Sequence, residues 1–147
     1  MTEVQLRAVE VADLEHFFRF ESEPEASRRA RFPSRERAAF MTHWETRILG
    51  DPTVVSRTVL ADGDVAGNLG AWQQDGQWQV GYWLGQRFWG RGVGTRALLL
   101  FVAEVTARPL YADAAVTNTG SIRLLEKCGF TRAEDVEEGY ATYVLTA

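Results

Sequence analysis

Cysteine is almost missing from this chain: Cys128 is the single example in 147 residues, so no intrachain disulfide can form. The two histidines, His16 and His43, stand far from it and from each other, and no metal-ligand spacing results. No metal is expected. An excess of positive charge is also lacking, because 16 Lys and Arg residues meet 20 Asp and Glu for a formal net charge of −4. That balance offers no basic field for duplex nucleic acid, though a small local anion site stays allowed. No uninterrupted apolar run reaches the roughly 18 residues of a membrane helix, and "MTEVQLRAVEVADL" interrupts any signal-like core with Glu3, Arg7 and Glu10. The expectation is a cytoplasmic protein with no membrane and no nucleic-acid partner.

What is abundant is material for a core. With 46% hydrophobic and 12% aromatic residues the chain can build one well-packed domain, expected over residues 1–147, and no linker or repeat divides it. "EVQLRAV" alternates like a strand, and "VADLEHFFRF" then takes helical spacing through Leu14, Phe17 and Phe18. Residues 21–33 hold two prolines and mixed charge without clean periodicity, which predicts an irregular or loosely helical connection. Ser34 is placed to cap a helix carrying Phe40, Trp44 and Ile48, ended by Gly50-Asp51-Pro52. Three strands follow, "TVVSRTVLA", "VAGNLGAW" and "WQVGYWL", separated by the hairpin signals Asp62-Gly63 and Asp75-Gly76. A helix starting near Thr95, with Leu98, Leu99, Phe101, Val102 and Val105 on its apolar face, closes at Arg108-Pro109. "LYADAAV" then returns as a strand able to run parallel to "WQVGYWL". Asn118 can cap a short helix ended by Gly129, and "FTRAEDV" and "YATYVLT" are strands around Glu137-Glu138-Gly139. The predicted order is β-α-α-β-β-β-α-β-α-β-β.

Between the meander and the long helix lies "QRFWGRGVGTRAL", with glycines at 90, 92 and 94. Free N–H groups at a helix mouth form an anion site suited to phosphate or pyrophosphate, and glycine lets the backbone approach closely. A tight strand-to-helix turn is the plainer use of the same residues. The Walker pattern fails, since Arg91 and Gly92 stand where Lys and Ser or Thr are required. A dinucleotide fingerprint is matched by Gly92, Gly94 and Ala97, with Asp113 about 20 residues further on. The three antiparallel strands ahead of it are the wrong setting, because a doubly wound sheet is parallel.

Taken with "NTGSIRLLEKCGF", the stretch "YWLGQRFWGRGVGTRAL" resembles the GCN5-related N-acetyltransferase (GNAT) family, in particular its branch of ribosomal-protein N-terminal acetyltransferase-like enzymes. The resemblance covers essentially the whole chain. It implies a single α/β (α+β) domain with a mixed, mostly antiparallel sheet in which one parallel strand pair splays to admit acetyl-CoA. The family pattern implies that Gly90, Arg91, Gly92, Val93, Gly94 and Thr95, after Trp89, hold the pyrophosphate. It also implies that Tyr82, Trp83 and Leu84 pair with the pantetheine, that Asn118 and Ser121 contact the cofactor, and that Arg123 and Lys127 lie near its 3′-phosphate. Trp89 replaces the Gln or Arg of many members. Leu125 replaces the tyrosine acid; for branch members lacking that tyrosine the resemblance implies the serine of the Asn-x-x-Ser segment, here Ser121, as the candidate donor to the CoA sulfur, with a backbone N–H near Leu84 polarising the acetyl carbonyl.

The implied reaction is direct attack of an amine, from a peptide N-terminus or a small molecule, on the thioester. An α-amino group of pKa about 7.7–8.0 needs less help from a base than lysine at about 10.4. "WQVGYWL" has no carboxylate, so the base is left to Glu21, Glu23, Glu25 or a water chain. Those glutamates, like Arg28, Arg29 and Arg31, also read as solvated surface charge; Cys128 reads as a buried structural thiol, and His16 and His43 as surface or packing residues. Trp72, Trp78, Trp83 and Trp89 suit either a substrate cleft or the core. A non-catalytic acyl-CoA-binding module and a dinucleotide enzyme remain the competing readings, and the chain is expected to act as a monomer or homodimer.

Overall fold

Two tight turns organise the middle of the chain in the computed structural model, which describes residues 2–133 and 139–147. Asp62-Gly63 and Asp75-Gly76 both take positive φ at each residue, the geometry that matches the twist of an antiparallel hairpin. They join β2 (Val55–Ala61), β3 (Asp64–Gln74) and β4 (Gln77–Leu84) into a meander, and β1 (Val4–Arg7) adds antiparallel to β2. β5 (Leu110–Ala115) lies beside β4 and parallel to it. β7 (Tyr140–Leu145) inserts between β5 and the short β6 (Thr131–Arg132). Among the described residues the sheet runs β1-β2-β3-β4-β5-β7-β6, with β4 and β5 as its single parallel pair. This mixed α/β sheet is the expected fold.

Helices cover both faces. α4 (Val93–Glu104) and α5 (Thr119–Lys127) share one core with the sheet, in which Val59, Leu69, Leu98, Phe101, Leu110 and Leu125 are all within 1% of fully buried. On the other face α1 (Asp13–Glu21) and α3 (Arg37–His43), the latter extended by a π-helical turn at Trp44–Ile48, enclose Leu14, Phe17, Phe40 and Trp44. Strand alternation delivers each side chain to its face: Thr58 reaches α1 while Val59 joins the α4 core.

Several boundaries differ from expectation. The 21–33 connection contains α2 (Pro24–Ala30), so three helices rather than two precede the meander. Only Ala26 of α2 is buried, which is why no apolar period shows; Pro24 at the first position and Glu25 pairing with Arg28 and Arg29 support it instead. Glu36, not Ser34, occupies the N-cap of α3. α4 starts at Val93, two residues early, and Leu99 turns outward at 46% exposure. It also stops at Glu104, where Arg108 folds back to donate to the carbonyls of Val102 and Val105. Of the strand expected over 130–136, Thr131–Arg132 form β6, while residues 134–136 and the turn at Glu137-Glu138 fall outside the described residues.

One polar knot ties β1, α1 and β2 together. Arg7 grips Asp13 through two hydrogen bonds of 2.7 and 2.9 Å, while the Glu10 N–H and the Thr58 hydroxyl donate to the same carboxylate. Burial alone would push Asp13 up, but the Arg7, Glu10 and Thr58 hydrogen bonds outweigh it and hold the carboxyl at about 2. Because the folded value lies below the unfolded one, this stabilisation is full above pH 4 and is lost as pH falls towards 2. About 2 kcal/mol is at stake. Urea midpoints measured from pH 6 to pH 2 are expected to fall more steeply for the wild type than for Asp13→Asn, which should begin lower and respond less to acid.

Candidate active site

β4 and β5 are paired only where they begin, Trp78 against Leu110 and Gln79 against Tyr111. β4 nevertheless keeps its ladder with β3 all the way to Leu84. From Val80 onward it therefore has one satisfied edge and one open edge, and a cleft of about 560 Å³ occupies the opening. The Gly85 N–H donates to the Ala66 carbonyl, and the Trp83 carbonyl points at Gly67, so the main-chain groups of residues 83 and 85 face β3. Alternation turns the N–H groups of Tyr82 and Leu84 towards the cleft. Trp83 is thus placed by its side chain rather than its amide: its indole donates to the Phe20 carbonyl at 3.1 Å and its ring meets Phe32 edge-on. The Leu84 carbonyl is already taken by the Trp89 indole at 3.2 Å.

The three glycines divide their work. Gly90 and Gly92 have φ of 73° and 75°, and a Cβ at either would meet nothing within 4 Å, so the conformation needs glycine and the space beside it is open. Gly94 is different: its Cβ would collide with the Leu124 side chain and lie 3.1 Å from that of Leu84, so it allows α4 to pack closely on α5 and β4. Gly92 is the N-cap of α4, whose first helical bond runs from Arg96 N–H to the Gly92 carbonyl. The N–H groups of Val93, Gly94 and Thr95 precede it without intrahelical acceptors, at the positive end of the helix dipole. Arg91 swings its side chain away, to Asp62 and the Thr2 hydroxyl. Across the cleft Arg123 and Lys127, the chain's one lysine, are exposed and have no ion pair among the described residues. This open, cationic, N–H-lined cradle fits a pyrophosphate and a further phosphate.

Asn118 caps α5, accepting from the Ser121 N–H at 3.3 Å. That cap sets the Ser121 hydroxyl 2.5 Å from the Tyr82 phenol across the cleft. Burial pushes the phenol well above its ordinary range, partly countered by the Ser121 bond, so it stays protonated at physiological pH. The phenol can spend its one proton on the serine oxygen, which leaves the serine's own proton free to turn into the cleft.

A family model described as the Acetyltransferase (GNAT) domain matches residues 3–131. The chain belongs to the GNAT acetyltransferase family. Its acyl donor is accordingly acetyl-CoA, which the cradle and the open β4 edge fit. A search of curated protein sequences finds no match. Among solved structures, a domain from Methanocaldococcus jannaschii DSM 2661 is similar at 18% identity and TM-score 0.82, with all of both chains covered. An aminoglycoside acetyltransferase AAC(6')-Ib in complex with coenzyme A is similar at 19% identity and TM-score 0.82, covering 98% of this chain and 95% of that one. RimL, a ribosomal L7/L12 alpha-N-protein acetyltransferase in complex with coenzyme A, is similar at 17% identity and TM-score 0.80, covering 97% and 93%. At these identities the likeness is one of fold.

This GNAT domain brings nearly all the residues singled out in its sequence to one cleft: 82–84, 89, 90, 92–95, 118, 121, 123 and 127 line it, and Arg91 does not. Of the four tryptophans between residues 72 and 89, Trp83 and Trp89 line the cleft, whereas Trp72 and Trp78 do not. The candidate bases are otherwise engaged. Glu21 pairs with Arg35, Glu23 accepts from the Gln86 N–H, and Glu25 is clasped by Arg28 and Arg29. Arg29 alone of the three α2-region arginines reaches the cleft together with its stack on Trp89, 4.8 Å away. Cys128 is buried against the Thr95 carbonyl with its thiol pushed up to about 11 by burial, unsuited to nucleophilic work. His16 pairs with Arg19, and neither histidine lines the cleft. The missed feature is the Tyr82 phenol. The period-two alternation of "VGYWL" could have located it, since it puts Tyr82 and Leu84 on the α4 and α5 face and Trp83 on the other.

Proposed function

We propose that this GNAT domain, acting as one unit over residues 1–147, transfers acetyl from acetyl-CoA to a primary amine by direct attack in a ternary complex. The observation that carries the reading is the splay itself: an open β4 edge, the α4 N-terminus and the Ser121–Tyr82 pair surround one space. Acetyl-CoA supplies the activated acyl group when bound. Residues 90 and 92–95 hold its pyrophosphate through main-chain N–H groups, and Arg123 and Lys127 neutralise further phosphate charge. The amides of Tyr82 and Leu84 present donors along the open edge, suited to pantetheine carbonyls and to charge developing on the acyl oxygen. Ser121 gives its proton to the departing sulfur, and Tyr82 holds the serine oxygen so that this proton points the right way.

For the acceptor we favour the α-amino end of a peptide, in keeping with the ribosomal-protein branch. Leu125 in place of a tyrosine acid and Trp89 ahead of the glycines support that branch, and an α-amino group is partly neutral near pH 8. A panel of peptides with free N-termini, polyamines and aminoglycosides, read by free thiol released from acetyl-CoA, tests the proposal. Turnover is expected with one or more peptides. Tight acetyl-CoA binding without thiol release on any amine would point to a non-catalytic module.

A further inference from the structure

We propose that the acceptor's amine-bearing residue carries a large apolar side chain, seated against Phe32, Trp83 and Tyr140 on the α2 face of the cleft. The inference rests on the acetyl-transfer reading above and names the acceptor class within it. Ser121 and Tyr82 meet on the α5 face of the parted strands, so the α2 face is the side left to the acceptor. Trp83 belongs to that face, because alternation along β4 sets it opposite to Tyr82. Ala26, Ala30 and Phe32 line the cleft from α2 and the turn behind it. Trp89 and Tyr140 join them, the first beneath Arg29 and the second at the end of α2, where its phenol meets the Arg31 carbonyl.

Each aromatic donor on this wall is spent on a main-chain carbonyl. The Trp83 indole donates to Phe20 at 3.1 Å, the Trp89 indole to Leu84 at 3.2 Å and the Tyr140 phenol to Arg31 at 3.0 Å. What they turn to the cleft is ring surface. The charged side chains that line the cleft on this face are, among the described residues, Arg29 and Asp113; Arg29 pairs with Glu25, and Asp113 accepts from the Thr142 hydroxyl. Phe32 is held in place yet uncovered. Arg31 ends α2 with a φ of 54°, and the Phe32 N–H then donates back to the Ser27 carbonyl, which fixes where the side chain starts. The ring meets Trp83 edge-on at 6.0 Å, and the Arg35 guanidinium lies over it at 5.5 Å. It is nevertheless 38% exposed, and of the large apolar residues left exposed among those described it alone lines the cleft. Apolar surface held open inside a binding cleft gains most from an apolar occupant. A peptide's first side chain branches from the carbon that bears the amine, so an amine entering between the strands brings that side chain to this wall.

Peptides that share every residue but the first, each with a free α-amino group, isolate this contact because the reacting amine is the same. With Leu, Phe, Gly, Ser, Asp or Lys in first place and thiol release from acetyl-CoA as the readout, kcat/KM for Leu or Phe is expected to exceed that of the others about 30-fold. Phe32→Ala should reduce the ratio of Leu to Gly to about threefold, chiefly by raising KM for the Leu peptide, and Phe32→Leu should restore most of it. Melting temperature and the calorimetric acetyl-CoA dissociation constant should match the wild type in both variants, which separates a lost contact from a lost fold. The proposal is overturned by kcat/KM values within about threefold across the first residues, by a preference for Asp or Lys, by turnover confined to polyamines or aminoglycosides, or by a ratio of Leu to Gly that Phe32→Ala leaves intact. If wild type releases thiol on no amine, the acetyl-transfer reading fails and takes this proposal with it; turnover without the apolar preference defeats this proposal alone.

Discussion

Gly67→Ala is expected to destabilise the protein by about 3–4 kcal/mol and lower its melting temperature by about 10 °C. The reason is local and made of backbone. A Cβ at residue 67 would overlap the Trp83 carbonyl oxygen and lie 2.9 Å from the Leu84 Cα, neither of which can rotate away. β3 and β4 would have to separate at the end of the ladder that holds the open edge of the cleft. Acetyl-CoA affinity, measured by calorimetry on the folded fraction at low temperature, should therefore fall as well. Gly70→Ala on the same strand is the contrast, because its Cβ meets only the Val55 carbonyl at 3.8 Å. That variant should be neutral or gain up to about 1 kcal/mol by restricting the unfolded chain. Equal melting temperatures for the two variants would show that the β3–β4 contact yields more easily than its geometry implies.

Ser121→Ala is expected to lower kcat by about 10² to 10⁴, with little change in the KM for acetyl-CoA. Thiolate of pKa about 8.5 is a moderate leaving group, and removing its proton donor raises the barrier to its departure. Tyr82→Phe should produce a smaller fall of about tenfold, since the serine remains but loses the hydrogen bond that orients it. Both losses should largely vanish with an acyl donor whose leaving group needs no proton, such as p-nitrophenyl acetate. If both variants are equally impaired with that donor, the pair supports the shape of the cleft or the attacking amine rather than protonating sulfur. If Ser121→Ala retains full kcat, the serine serves only as part of the α5 cap.

Much of this protein is legible in local pattern. The hairpins at Asp62-Gly63 and Asp75-Gly76 were readable because their positive φ values select those residues at any location in a chain. Asn118 and Gly129 marked the ends of α5 for the same kind of reason, a side chain that caps and a residue that tolerates φ of 92°. α2 was not legible as a full helix, because a helix lying on the surface with one buried alanine writes no apolar period. Leu99 misled for the opposite reason: an apolar residue on the outer face of α4 looks like core until the partners of that face are known.

The site divides along the same line. The glycine stretch and the second motif named the family and residues that line one cleft, because a run of free N–H groups at a helix mouth depends on consecutive backbone positions and consecutive positions are what a sequence displays. Which glycine serves which purpose was decided only in three dimensions, where Gly92 needs its φ and Gly94 needs room beside Leu124. The pairing of Tyr82 with Ser121 joins residues 39 positions apart, and the open edge of the cleft follows from where β4 and β5 stop pairing. Sequence by itself determined most of the elements, the fold family and the donor, since these follow from short-range stereochemistry and contiguous motifs. Tertiary structure decided which acid and base candidates share a cleft, because proton transfer depends on distances between strands and helices that no spacing along the chain records.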